Sequence, residues 1–177
     1  MAEEIDQEKL VAAMRSSTQE VFSTMLGMEV TAGEPFMQAS KPGPADGVVS
    51  LVGLAGNWVG TGSICCTAEF ACKICGHMLM SEYASVNQDV LDAMGEMTNM
   101  IVGNFKLAME EYLGPMGLSI PMVIFGHNFT ARSVNSTDWT VVPFECEGGR
   151  VEVKICLSPQ TQQPNHPSRP APTQVLV

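Results

Sequence analysis

The chain has 177 residues and a hydrophobic fraction of 45%, which suits a single domain with its own core. Nine Lys+Arg against nineteen Asp+Glu give a formal charge of −10. With no basic cluster anywhere, a nucleic-acid groove and an anionic membrane surface are both disfavoured, and neither partner is expected. The acidic start, Met1-Ala2-Glu3-Glu4, has no apolar run behind it, and no stretch reaches about 18 apolar residues. A cytoplasmic protein is expected.

The first helix is expected over about Asp6 to Leu26. Asp6 caps it, Glu8 suits its positive end, and Gly27 ends it. Val11, Met14, Thr18, Val21, Phe22 and Met25 recur at three and four and make one apolar face. Residues 29–39 read as weakly extended, and Lys41-Pro42-Gly43-Pro44 as a loop. Val48 to Ala55 and Trp58 to Cys66 read as two strands around a Gly56-Asn57 turn. The glycines in this hairpin match neither G-x-G-x-x-G nor a P-loop, so close packing is the better reason for them.

Thr67 caps a helix to about Met78, with Glu69 in its first turn. It carries Cys72 and Cys75, near Cys65 and Cys66. A zinc site would need a second C-x-x-C or a paired His, and none is present. The better reading is reduced cysteines acting as small apolar residues. No metal ligand is assigned.

Asn87 or Ser85 starts a long helix that Gly114-Pro115 stops. Pro121 to Gly126, with Met122-Val123-Ile124-Phe125 inside it, then reads as a buried strand, and Trp139–Cys146 with Arg150–Leu157 as a hairpin around Gly148-Gly149. Along its second arm Val151, Val153, Ile155 and Leu157 face the core, while Glu152, Lys154 and Cys156 face water. Pro143 places its strand at an edge or a bulge. From residue 158 the chain is a Pro-rich tail with the composition of disorder. The fold class is therefore α+β, an antiparallel sheet with long helices packed on it, over residues 1–157.

The long helix carries the chemistry. At about 100° per residue, Leu91, Met94, Thr98, Ile101, Phe105, Ala108 and Tyr112 gather on one side. Glu96, Asn99 and Gly103 fall on the other, with Asp92, Lys106 and Glu110 extending the stripe and Met100 at its margin. Gly95 and Gly103 each cost a helix up to about 1 kcal/mol and invite a reason. On spacing alone, a Glu and an Asn one turn apart describe an ordinary solvated face as well as a site.

Asp92-Ala93-Met94-Gly95-Glu96-Met97-Thr98-Asn99-Met100-Ile101-Val102-Gly103-Asn104 resembles the signature of the CheC/CheX/FliY family of chemotaxis phosphatases, D-x-x-x-E-x-x-N-x-x-x-G-N, at every fixed position. The single copy is CheX-like. The resemblance implies a phosphatase acting on the aspartyl phosphate of a CheY-like response regulator. Asn99 would orient the attacking water, and Glu96 would pair with a Lys of the regulator. Asp92, Met100 and Gly103 would line the contact. No cofactor is bound by this chain, since the regulator brings Mg²⁺. The resemblance also implies a homodimer, for which the Pro143 strand and its hairpin partner are the expected contact. The alternative is a non-catalytic regulator-binding or dimerisation module of the same fold.

Overall fold

The computed structural model describes residues 5–39, 45–130 and 138–160. Helix α1, Gln7–Val21, starts where Asp6 Oδ1 accepts from the Glu8 and Lys9 amides at 3.0 and 3.2 Å. It widens into a π turn over Phe22–Leu26 and ends on Gly27 at φ 62°, a left-handed conformation that Gly adopts without strain. The wider turn changes the helical phase. Leu26 takes the core position and the expected Met25 is left exposed.

Two short strands follow, β1 (Val30–Ala32) and β2 (Phe36–Gln38). The long strands β3 (Ala45–Gly56) and β4 (Trp58–Cys66) pair from Val48↔Cys66 to Ala55↔Val59, so the turn lies at Gly56-Asn57 as expected. The loop expected at 41–44 lies outside the described residues. Helix α2 (Ala68–Leu79) is capped by Thr67, whose Oγ1 accepts from the Phe70 amide, and α3 spans Gln88–Leu113. Strands β5 (Met116–Leu118), β6 (Met122–Phe129), β7 (Trp139–Cys146) and β8 (Gly149–Pro159) complete the order.

The sheet runs β1-β7-β8-β4-β3-β5. Strand β2 also pairs with β7, and β6 also with β3; every pairing is antiparallel. All three helices bury their apolar sides in one core with the sheet, where Met14, Phe22, Phe70, Ile74, Met94 and Phe105 meet Val48, Val52, Ile64, Phe144 and Val153. The approach is close at the centre: a Cβ on Gly62 of β4 would run into the Val102 side chain of α3. Packing of this kind accounts for that hairpin glycine.

Four expectations need correction. Strand β6 is not buried. It pairs with β3 alone, and Met122 and Phe125 stand 63% and 45% exposed. An apolar run cannot tell a central strand from an edge one, because the difference lies in the neighbours. Pro143 is not on an edge strand, since β7 lies between β8 and the β1–β2 pair. Its backbone instead meets the break between those two strands, where its carbonyl accepts from the Gly33 amide at 2.8 Å. The missing N–H therefore interrupts no ladder there, and β7–β8 cannot be a free edge for dimerisation. Cys156 is buried, because Trp139, Val141 and Leu51 form a second small cluster with it on the face away from the helices. Strand β8 extends past residue 157: Ser158 and Pro159 pair with Val59 and Trp58, and the Gln160 amide donates to the Asn57 carbonyl. The rest of the expected tail lies outside the described residues.

Candidate functional site

Helix α3 begins at Asn87, whose Oδ1 accepts from the Val90 amide at 3.1 Å, and ends at Gly114. Val90, Met94, Met97, Ile101, Phe105 and Met109 are buried along its length, flanked by Ala93, Thr98 and Val102. Burial covers most of the circumference because α3 packs against α1, α2 and the sheet. The expected apolar side holds at Met94, Thr98, Ile101 and Phe105, but Ala108 and Tyr112 are exposed and Met109 and Leu113 take their places. Tyr112 lies at the outer rim of α1, where Lys9 Nζ stands 4.0 Å over its ring.

What remains to solvent is a narrow stripe. Glu96 and Asp92 are exposed, while Asn99, Met100 and Gly103 are half-buried. The structure thus brings all five expected residues to one side of one helix. Asp92 Oδ1 accepts from Gln88 Nε2 at 2.7 Å. Glu96 and Asn99 have no side-chain hydrogen bond or ion pair among the described residues, so both present unused polar groups outward. Met100 packs its side chain against the core and gives the stripe an apolar border.

The two glycines differ. Gly95 is buried: a Cβ there would stand 3.4 Å from both Pro121 Cγ and Val123 Cγ2. Gly103 is half open, with Leu118 Cδ1 3.7 Å from its Cβ position. The stripe is thus bordered by the corner between β5 and β6, residues 118–121. The expected strand beginning at Pro121 took in only the end of this corner, although Pro121 directly after Ser119-Ile120 was a usable turn signal.

The cysteines stand apart from this face. Cys66, Cys72 and Cys75 are buried in the helix-side core, as expected of small apolar residues. Burial pushes the thiols of Cys65, Cys66, Cys72, Cys75 and Cys146 up, Cys66 to about 12. Thiols held protonated in this way are poor nucleophiles at neutral pH. Among the described residues no group of three or more His, Cys, Asp or Glu could hold a metal ion. His77 Nδ1 lies 3.1 Å from the Leu26 carbonyl, and His127 stands beside Asp46. An open groove between α2, residues 80–86 and Phe125 shares no residue with the stripe. The stripe itself is the outer surface of a helix, a shape suited to a protein partner more than to a small ligand.

The profile of the chemotaxis phosphatase CheX family matches residues 48–145. The CheY-P phosphatase CheX of Thermotoga maritima is 30% identical over 128 residues, which are 71% of this chain and 81% of that protein. The chain belongs to the CheX family of chemotaxis phosphatases. CheX of Desulfovibrio desulfuricans has the same fold, with a TM-score of 0.76 and 30% identity over 85% of this chain and 99% of that one. A CheX of Borrelia burgdorferi, solved with CheY, BeF3 and Mg²⁺, gives 0.74 at 25% identity over 88% and 99%. The profile match spans α3 whole, and with it Glu96 and Asn99. As a member of this family the chain is a phosphatase, and its fold is the family's α+β architecture.

Proposed function

We propose that this protein hydrolyses the aspartyl phosphate of a CheY-like response regulator, and that α3 enters the regulator's active site with Glu96 and Asn99 leading. The observation that carries this reading is the pair itself. An exposed carboxylate and a half-buried amide stand one turn apart on the same side of one helix, and neither has a side-chain partner among the described residues.

The Asn99 amide holds a water in line with the phosphorus. The water oxygen forms the new P–O bond, the bond to the regulator's aspartate breaks, and inorganic phosphate leaves. Phosphoryl transfer depends chiefly on position and charge, so one oriented amide contributes much and no covalent intermediate on this chain is needed. Glu96 pairs with a Lys of the regulator and sets the register. Asp92, Met100 and Gly103 complete the contact. This chain binds no cofactor; the Mg²⁺ belongs to the regulator. No helix among the described residues is long and apolar enough to cross a membrane, and a regulator partner places the protein in the cytoplasm.

The protein is also proposed to be a homodimer. Among the described residues the sheet ends at β1–β2 on one side, where Phe36 and Met37 are exposed, and at β5–β6 on the other. Unpaired edges of this kind need cover. Light scattering at micromolar concentration tests it, and a monomer would end it.

The functional test is decay of a phosphorylated CheY-like regulator with Mg²⁺ present. Catalytic amounts of the protein accelerate the decay and Asn99→Ala does not. If Asn99→Ala matches the parent at saturation, α3 is only a binding surface and the non-catalytic module is the better reading.

A further inference from the structure

The β5–β6 corner holds an isoleucine in water. Ile120 is 90% exposed, yet the backbone that carries it is firmly tied down. The Ser119 amide donates to the Gly53 carbonyl at 2.9 Å, and the Gly53 amide donates to Ser119 Oγ at 2.8 Å. Ser119 Oγ in turn donates to the carbonyl of Ile120 itself at 2.9 Å. On one side of the corner Leu118 meets Gly103, and on the other Pro121 meets Gly95. The corner therefore runs along α3 from Gly103 back to Gly95, and Asn99 lies midway between these two contacts, four residues from each.

Scattered exposed apolar residues need no explanation, but one held rigid against a functional stripe does. We propose that Ile120 is a second contact for the response regulator, an apolar ledge that seats on the regulator's surface beside its phosphorylation site. This rests on the function proposed above.

Two observations select the regulator as occupant. The ledge is continuous with the stripe through Gly95 and Gly103, so a protein that reaches Asn99 also reaches it. The stripe is mostly polar and net acidic, with Asp92, Glu96 and Glu110 against Lys106, and it contributes orientation more than apolar burial. An aliphatic side chain at its border adds an apolar contact, and because its backbone is already held, binding has to order the side chain alone.

The experiment uses the full chain and a CheY-like receiver loaded with BeF3⁻ and Mg²⁺, with titration calorimetry for binding and phosphate release for turnover. Ile120→Asp and Ile120→Ala are compared with the parent. The expected result is tenfold or weaker binding for Ile120→Asp, a smaller loss for Ile120→Ala, a matching rise in the half-saturating regulator concentration, and an unchanged rate at saturation. Thermal melts of both variants match the parent, because the side chain packs on nothing.

If the parent binds and both variants bind equally well, the ledge is no regulator contact and the inference alone fails. If the parent neither binds nor dephosphorylates the receiver, the proposed function fails and the inference with it. If Ile120→Asp turns a dimer into a monomer while regulator affinity is unchanged, the occupant is a second copy of this chain and the inference is overturned.

Discussion

Pro121 packs against the backbone of α3 at Gly95, close enough that a Cβ at residue 95 would stand 3.4 Å from Pro121 Cγ. A methyl at residue 95 would only touch this corner, whereas a larger side chain would have to displace it. Gly95→Ala makes an ordinary contact and folds well. Gly95→Leu has no room, pushes the 118–121 corner away, and destabilises the protein by about 1–3 kcal/mol. Urea midpoints of the two variants check this; equal midpoints would mean that the corner yields freely.

Asn99→Ala and Glu96→Ala leave stability within about 0.5 kcal/mol, since neither side chain has a partner among the described residues to lose. Their effects on turnover are far larger. Loss of one preorganised polar group at a transition state costs on the order of 10²-fold, about 3 kcal/mol. Asn99→Ala lowers the saturated rate, whereas Glu96→Ala also raises the regulator concentration needed for half-saturation. A full titration of phosphorylated regulator against each variant separates the two, and identical profiles would count against distinct roles.

Gly103→Ala should separate folding from function. Leu118 Cδ1 lies 3.7 Å from the new Cβ, an ordinary contact, so the variant gains up to about 1 kcal/mol of helix stability. The added methyl also stands on the half-open stripe and crowds an incoming partner. Thermal unfolding and regulator affinity, measured on one preparation, are expected to move in opposite senses. Unchanged affinity would remove Gly103 from the contact.

Stability should fall in alkali. Burial pushes the Cys66 thiol from 9.0 in the open chain up to about 12 in the folded protein. The folded state then holds a proton that the unfolded state gives up first, so the contribution is whole below pH 9 and shrinks as pH rises from 9 towards 12. The full gap corresponds to roughly 4 kcal/mol. Urea midpoints from pH 8 to 11 should drop less steeply for Cys66→Ala than for the parent. Parallel slopes would show that other groups carry the effect.

The local signals in this chain were strong enough to read unaided. Asp6, Thr67 and Asn87 cap their helices because each side-chain oxygen meets an amide two or three residues on, a contact that needs no distant partner. The Gly56-Asn57 hairpin and the polar run Asp92, Glu96, Asn99, Gly103 depend equally on neighbours along the chain, so the stripe was visible on a helical wheel. Tertiary structure decided the rest, because burial belongs to whatever lies across the gap. Strand β6 became an edge once β3 was its sole ladder partner, and Cys156 was buried once Trp139 and Val141 covered it. Nor could spacing place the 118–121 corner along α3. That neighbourhood depends on Pro121 and Leu118 reaching α3 at Gly95 and Gly103, contacts between residues that lie 26 and 15 positions apart in the chain and meet only when the sheet and helix close on each other.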